Sequence, residues 1–338
     1  MKKGLKEDID DFVELFRYSS DFANKNFLIT GSTGLIGSYL IYCLLGLNKN
    51  IKIFAPVRNL EKARSMYGDL FNEISFVECD LSSSELNKIG SVDYVVHCAA
   101  PTASKFFIEH PVETFNSIYD ISKSILDYSL KNKVKSVVLL SSLEVYGTIL
   151  DDSAEVTEDI QGYINPLNTR SSYPMAKRAM ECLAHLFAKQ YGLNVSIARL
   201  TQTTASACDP SDNRIIAQFA RLTAHGDDII MHTTGESARP YCYCVDAINA
   251  ILTILKYGNQ GEAYNVCNEE TYISARGMAE FLKENFNNRI NIIYDIDDNM
   301  GYAPVTKLKL SSSKLRDLGW APYYSLNHIF ARLINSMK

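Results

Sequence analysis

The 338-residue chain has no Cys-x-x-Cys pair, and its eight cysteines and six histidines never fall at zinc-ligand spacing. That excludes a zinc module as the organising feature, and no metal site is expected. A chain of this length needs no disulfide staples to complete a core, so reduced thiols in a cytoplasm are the expected state. Neither sign of charge dominates. Thirty-four Lys and Arg against 39 Asp and Glu leave a formal net charge of −5, with no whole-chain signature of nucleic acid or of an acidic membrane surface. The first residues, MKKGLKEDIDD, carry lysines with no apolar run behind them, so no signal peptide is expected. No internal repeat or low-complexity segment stands out. One uncharged stretch, 26–48, is long enough to span a bilayer. Its four glycines (31, 34, 37 and 46) and its hydroxyl residues fit a strand, a tight turn and a helix instead.

What is present is a regular alternation. Ile9, Phe12, Val13 and Phe16 recur at helical spacing over 5–18, an amphipathic helix for packing on the main body. Continuous apolar runs follow at 27–30, 51–55, 74–78, 93–97, 136–141 and 194–199, with helical patterns at 35–47, about 111–132 and 174–191. Apolar strands alternating with helices imply an α/β, doubly wound, Rossmann-like parallel sheet of about seven strands, covered on both faces. Beyond about 200 the segments shorten, with turns at Asp209-Pro210, Asp227-Asp228 and Gly258-Asn259 and helices near 213–224, 246–257, 274–286 and 324–337. The expected organisation is a helical extension (1–25), a dinucleotide-binding domain (26–200) and a smaller C-terminal substrate lobe (201–338) with segments returning to the main sheet. His97, ending a strand, reads as a packed neutral histidine. Cys242 and Cys244, alternating on an expected strand, read as core.

Gly31-Ser32-Thr33-Gly34-Leu35-Ile36-Gly37 lies between the first strand and the first helix of this pattern. Glycines there permit a tight turn, close approach of a diphosphate and close packing of helix on strand, while the helix N-terminus offers free N–H groups to phosphate. The G-x-x-G-x-x-G spacing differs from the G-x-G-x-x-G dehydrogenase form. Residues 54–59, Phe-Ala-Pro-Val-Arg-Asn, hold no acid to select a ribose 2′-hydroxyl. Arg58 is placed either to accept a 2′-phosphate or to stack on adenine, so NADP stands beside NAD. Asp80, after the third strand, is placed for the adenine amino group.

Tyr173 and Lys177 are one helical turn apart, and Pro174 fits only in a first turn, which puts Tyr173 at a helix N-terminus. A cation beside a phenol lowers its pKa and makes a general base for a hydroxyl proton. Ser142 and Glu144, in Leu140-Ser-Ser-Leu-Glu-Val-Tyr-Gly147, stand at the carboxyl end of a central strand, where such sheets bind ligands. Ser142 is suited to hold the reacting oxygen and Glu144 to serve as acid or base.

Taken together, GSTGLIG, Asp80-Leu81, His97-Cys98-Ala99-Ala100, SSLEVYG, Tyr173/Lys177, and Ala238-Arg-Pro-Tyr241 followed by Val245-Asp246 resemble the extended short-chain dehydrogenase/reductase family. The group is the NAD-dependent epimerases and dehydratases acting on nucleotide sugars, and the resemblance covers roughly 24–335. It implies catalytic Tyr173, Lys177, Ser142 and Glu144. It also implies a cofactor site from Gly31, Thr33, Gly34, Leu35, Ile36, Gly37, Arg58, Asp80, Leu81, Ala99 and Ala100 together with the Tyr/Lys pair. The implied reaction oxidises a sugar hydroxyl, usually at C4, to a transient ketone, in a homodimer. Ala99-Ala-Pro-Thr-Ala-Ser-Lys105, His110-Pro111, Glu144 and Gly162-Tyr-Ile-Asn-Pro166 look most like UDP-glucuronate decarboxylases. That branch implies substrate contacts from Thr102, Ser104, Lys105, Gln202, Arg214, Arg239 (on the diphosphate) and Lys307. There are departures. Leu143 stands where dehydratases carry an aspartate, Lys307 where decarboxylases carry an arginine, and Leu200-Thr201-Gln202 where they carry Pro-Phe-Asn. A nucleotide-sugar 4-epimerase, an NADP-dependent ketone reductase and a non-catalytic dinucleotide sensor remain the alternatives.

Overall fold

A computed structural model describes residues 2–81, 86, 88–102, 104–207, 209, 211–296 and 305–337. Ala103, Cys208, Pro210 and the side chain of Ser104 lie outside the described residues. In chain order the elements are α1 (Lys3–Leu15), β1 (Asn26–Thr30), α2 (Leu35–Gly46), β2 (Lys52–Val57), α3 (Leu60–Tyr67), β3 (Ser75–Glu78) and β4 (Tyr94–His97). Then come α4 (Ser104–Glu109), α5 (Pro111–Lys131), β5 (Ser136–Ser142), α6 (Ser172–Tyr191), β6 (Val195–Leu200), β7 (Gln202–Thr204), α7 (Ile215–His225), β8 (Ile229–Met231) and β9 (Ala238–Tyr243). The last are α8 (Cys244–Tyr257), β10 (Ala263–Val266), β11 (Asn268–Ser274), α9 (Ala275–Asn285), β12 (Ile292–Tyr294), α10 (Ser313–Arg316) and α11 (Leu326–Met337).

Seven strands form one parallel sheet in the order β10-β6-β5-β4-β1-β2-β3. Their sequences explain the burial. Phe27, Leu28 and Ile29 of β1 and Val137, Val138 and Leu139 of β5 are fully buried, as strands covered on both faces must be. Helix α2 is buried from Gly37 through Leu44 because α1 and α8 cover it from outside. Pro111 begins α5, where its missing N–H costs nothing, and Gly192 ends α6 in the left-handed conformation. The chain runs outward from β1 in both directions across the sheet, so β1 and β4 flank the switch point at which such sheets hold ligands. β10 is the late strand that returns to the sheet. The chain after β6 also carries the small sheet β11-β9-β7 and the pair β12-β8.

Three expectations shift. Helix α1 ends at Leu15, because Phe16 is extended, and it buries Leu5, Asp8, Ile9 and Phe12 while Val13 is exposed. Helix α6 begins at Ser172, ahead of Tyr173. Cys244 is not on a strand with Cys242. The backbone turns into α8 at that residue, and both thiols are buried. Among the described residues no helix is long and apolar enough to cross a membrane, and no group of three His, Cys, Asp or Glu is placed to hold a metal.

Candidate active site

The turn after β1 is held shut by backbone. Gly31 has φ +66°, and a Cβ there would lie 2.7 Å from the Cys98 carbonyl carbon at the end of β4. A Cβ on Gly37 would lie 2.3 Å from the Gly31 oxygen. Thr30 Oγ1 locks β1 to β4 from beneath. It meets His97 Nδ1 at 2.7 Å and accepts from the Cys98 and Ala99 N–H groups at 3.2 Å. Gly34 is different. Apart from the Gly31 oxygen at 3.3 Å, nothing lies within 4 Å of where its Cβ would be. It is the N-cap of α2, with no side-chain cap and no acid in the first turn, so the N–H groups at Leu35 and Ile36 are offered to an anion. Ser32 Oγ, beside them, is buried with no partner. An open glycine face, an uncapped helix start and an orphaned hydroxyl fit a dinucleotide diphosphate. Gly34→Ala should therefore leave stability within about 1 kcal/mol, since its φ of −93° suits alanine, yet weaken NAD binding roughly tenfold. Thermal unfolding and titration calorimetry measure the two effects.

Arg58 is exposed just after β2, where Asn59 caps α3 by accepting from Lys62 N at 2.8 Å. Asp80 is exposed and Leu81 buried beyond β3, and Ala99 and Ala100 are half-buried beyond β4. Thr33 is half-buried in the turn itself.

Across the crevice, α6 brings Tyr173 and Lys177 to the end of β5. Both are buried. Ser142 Oγ lies near enough to the Tyr173 phenol to favour its ionised form, and it accepts from Glu144 N at 3.2 Å at the start of a tight turn over Leu143–Tyr146. Phe107 of α4 stacks on the Tyr173 ring at 4.4 Å between centroids, and Ser172 Oγ donates to the Phe107 carbonyl. Lys177 does not depress the Tyr173 pKa in this arrangement. Its ammonium donates to the Leu140 carbonyl at 2.7 Å and lies 5.9 Å from the centre of the phenol ring. Burial, and then the Glu144 carboxylate, raise the phenol pKa instead, while Ser142 opposes them. Burial pushes Lys177 down to about 8 against the pull of Glu181. Burial, helped by the Lys177 charge, brings His97 to about 3, so it is neutral.

The lysine shift has a sign that stability measurements can read. Below about 8 both folded and unfolded chains hold the Lys177 proton, and the fold bears the cost of a buried charge. Between about 8 and 10.5 the unfolded chain binds a proton that the folded one has released, so this residue's contribution to stability rises with pH. Lys177→Met should be more stable than the parent at pH 7 by roughly 1–3 kcal/mol, after allowing for the unpaired Leu140 carbonyl. That advantage should disappear as pH approaches 10.5. Urea midpoints of the two proteins across this range check it.

Glu144 is the electrostatic centre of the outer site. Burial raises its pKa, and Arg170 and Arg239 oppose the rise. Arg170, just ahead of α6, had no role in the sequence reading beyond its place next to the tyrosine motif. Arg239 lies on β9, and the backbone of Lys307 bridges to its neighbour Ala238. Lys307 Nζ is 4.0 Å from Asp152. On β7, Gln202 Oε1 and Thr204 Oγ1 are buried without partners. By strand alternation and register they share the sheet face of Arg239 and Tyr241. Arg214 is forked onto Asp212 at 2.6–3.0 Å and donates to the Thr203 carbonyl at 2.7 Å, so its guanidinium is already engaged. Thr102 and Lys105 are exposed, the latter 3.6 Å from Glu109, and Ser104 opens α4.

Behind this constellation lies a buried network that the sequence reading missed. Arg199 forks onto Glu181 at 2.7–3.2 Å and donates to Tyr146 Oη at 3.0 Å and to the Glu158 carbonyl at 2.7 Å. Ser141 Oγ donates to Glu181, and Tyr146 Oη to Asn265 Oδ1 at 2.6 Å. The available signal was Glu181 one turn beyond Lys177 on the same face.

A family model described as "NAD dependent epimerase/dehydratase family" matches residues 27–267. UDP-glucuronic acid decarboxylase 3 of Arabidopsis thaliana is 27% identical over 307 residues, covering 90% of this chain and 86% of that protein. The Homo sapiens dTDP-D-glucose 4,6-dehydratase is 26% identical over 317 residues, covering 88% and 85%. Among solved structures, UDP-glucose 4-epimerase from Thermotoga maritima with UDP-glucose superposes with a TM-score of 0.79 at 22% identity, covering 92% of this chain and 98% of that one.

Proposed function

We propose, from the premise that the chain belongs to the NAD dependent epimerase/dehydratase family, that it oxidises the C4 hydroxyl of a nucleotide-linked uronic acid and releases its carboxylate as CO₂. When bound, NAD would accept the C4 hydride and give it back to the 4-ketone once CO₂ has left, so that the product is a pentose and the cofactor ends oxidised. Tyr173 Oη takes the hydroxyl proton, Ser142 Oγ holds the phenol and the reacting oxygen in register, and Lys177 places a positive charge at the end of β5. A ketone at C4 makes the neighbouring carboxylate easy to lose, and the carbon left behind needs a proton. Glu144, whose pKa burial raises, is suited to supply it.

The observation that carries the uronic-acid reading is that Arg170 and Arg239 both stand near enough to Glu144 for their charges to oppose the rise in its pKa. One guanidinium answers to the diphosphate, as the family resemblance implies for Arg239. The other is then available to a second anionic group on the sugar. Leu143 supports the same choice against dehydration. It is buried in a small apolar cluster with Val145, Val156, Leu308 and Leu310, and it offers no acid to expel a C6 hydroxyl.

The test is a panel of UDP-, dTDP-, CDP- and GDP-sugars that includes UDP-glucuronate, scored for CO₂, 4-ketone and epimer. Release of CO₂ from UDP-glucuronate with appearance of a UDP-pentose is expected. An epimer without CO₂ would move the assignment to 4-epimerase. Chromatography of the nucleotide freed by denaturation separates NAD from NADP, the latter being the cofactor that Arg58 would favour. We also read α5 and α6 as the face of a homodimer, on which Leu186 and Tyr191 are exposed, with light scattering as the check.

A further inference from the structure

We propose that Asp8 is a positioning residue, through which helix α1 sets the placement of the β7–β9 edge of the substrate lobe against the dinucleotide helix α2. The helix lies ahead of residues 27–267, which the family model matches. Its outer residues are ordinary, but Asp8 is fully buried. Three hydroxyls from three parts of the chain converge on its carboxylate. Tyr39 Oη of α2 donates at 3.0 Å, Ser206 Oγ of the segment after β7 at 2.6 Å, and Tyr243 Oη at the end of β9 at 2.8 Å. Each phenol also receives a backbone N–H. Ala207 N donates to Tyr39 Oη and Ser206 N to Tyr243 Oη, both at 3.0 Å.

The carboxylate therefore joins one element of the cofactor site to two elements of the substrate site. Tyr39 stands two positions beyond Gly37, the last glycine of the phosphate turn. Ser206 follows β7, which carries Gln202 and Thr204, and Tyr243 ends the strand that carries Arg239. The carboxylate is anchored in turn. Arg332 of α11 lies 3.7 Å from Asp8, 2.8 Å from Glu7 and also against Asp11. A buried acceptor serving three donors has no apolar substitute, because removing it takes away the acceptor to which all three hydroxyls donate. Distortion of the crevice walls is then the expected consequence, with the glycine turn itself intact.

The experiment compares the parent protein with Asp8→Ala and Asp8→Asn, the amide keeping an acceptor oxygen in the same place. Amide hydrogen exchange, which needs no substrate, should quicken in 202–207 and 238–243 in the alanine variant and return towards the parent in the asparagine variant. The kinetic arm rests on the reaction proposed above. With UDP-glucuronate, Asp8→Ala should raise KM roughly tenfold with kcat within about threefold, because the lost contacts hold substrate equally in ground and transition states. A merely structural loss lowers the active fraction, which reduces the apparent kcat and leaves KM unchanged. If the parent does not turn over UDP-glucuronate, the proposed reaction fails and the exchange arm alone decides. Where Asp8→Ala does not fold, Tyr39→Phe and Tyr243→Phe each remove one hydroxyl and should quicken exchange in the same segments. Faster exchange confined to residues 3–15, or an unchanged KM in Asp8→Ala, overturns the proposal.

Discussion

Tyr173→Phe should reduce turnover by a factor on the order of 10²–10⁴, the range lost with a positioned general base, while the purified protein still carries its dinucleotide. The reason is the position of one oxygen. Tyr173 is buried and stacked on Phe107, so phenylalanine fills the same volume and leaves the stack in place. What disappears is the oxygen that the proposed reaction uses to take the hydroxyl proton. Burial and Glu144 raise the phenol pKa, and the Lys177 ammonium is tied to the Leu140 carbonyl. The check pairs a product assay with chromatography of the nucleotide released on denaturation. A variant with near-parental rates would remove Tyr173 from the chemistry. A variant that loses its nucleotide would make the tyrosine part of the binding site instead.

The largest expected stability loss comes from Arg199→Ala, at about 3–5 kcal/mol, read as a shift in the denaturant midpoint. Arg199 is 7% exposed, and its guanidinium raises no question of solvent screening. Removing it strands the Glu181 carboxylate, takes one of the two partners of Tyr146 Oη and frees the Glu158 carbonyl at once. Arg199→Lys keeps the charge without the fork and should fall between the two. A double variant, Arg199→Leu with Glu181→Leu, should be less damaged than either single change, because no uncompensated charge remains. Additive losses would mean that the pair is not a coupled unit.

The main sheet was legible because its physics is local. Strands buried on both faces are apolar runs, and Gly31 to Gly37 can hardly do anything else between a strand and a helix. The Tyr173 and Lys177 pair was legible for the same reason, since four positions on a helix make one face. Contacts that depend on distant parts of the chain were not legible. Nothing near Arg199 announces Glu181, and nothing near Glu144 announces that the charges of Arg170 and Arg239 both reach it. Asp8 shows the limit most clearly. Leu5, Asp8, Ile9 and Phe12 share one helical face, but an aspartate reads as solvated until Tyr39, Ser206 and Tyr243 are brought to it by folding. The phenol pKa went astray because spacing gives proximity but not direction, and the lysine amine points at a carbonyl.

The ion pairs between α1 and α11 impose an order of events on synthesis. Glu7 and Arg332 are 325 positions apart, so the helix made early has to wait for one made more than three hundred residues later before its acids are neutralised. Closing so wide a loop adds little to the equilibrium cost but delays the contact. A nascent chain arrested before Arg332 would hold Glu7, Asp8 and Asp11 without their common cation.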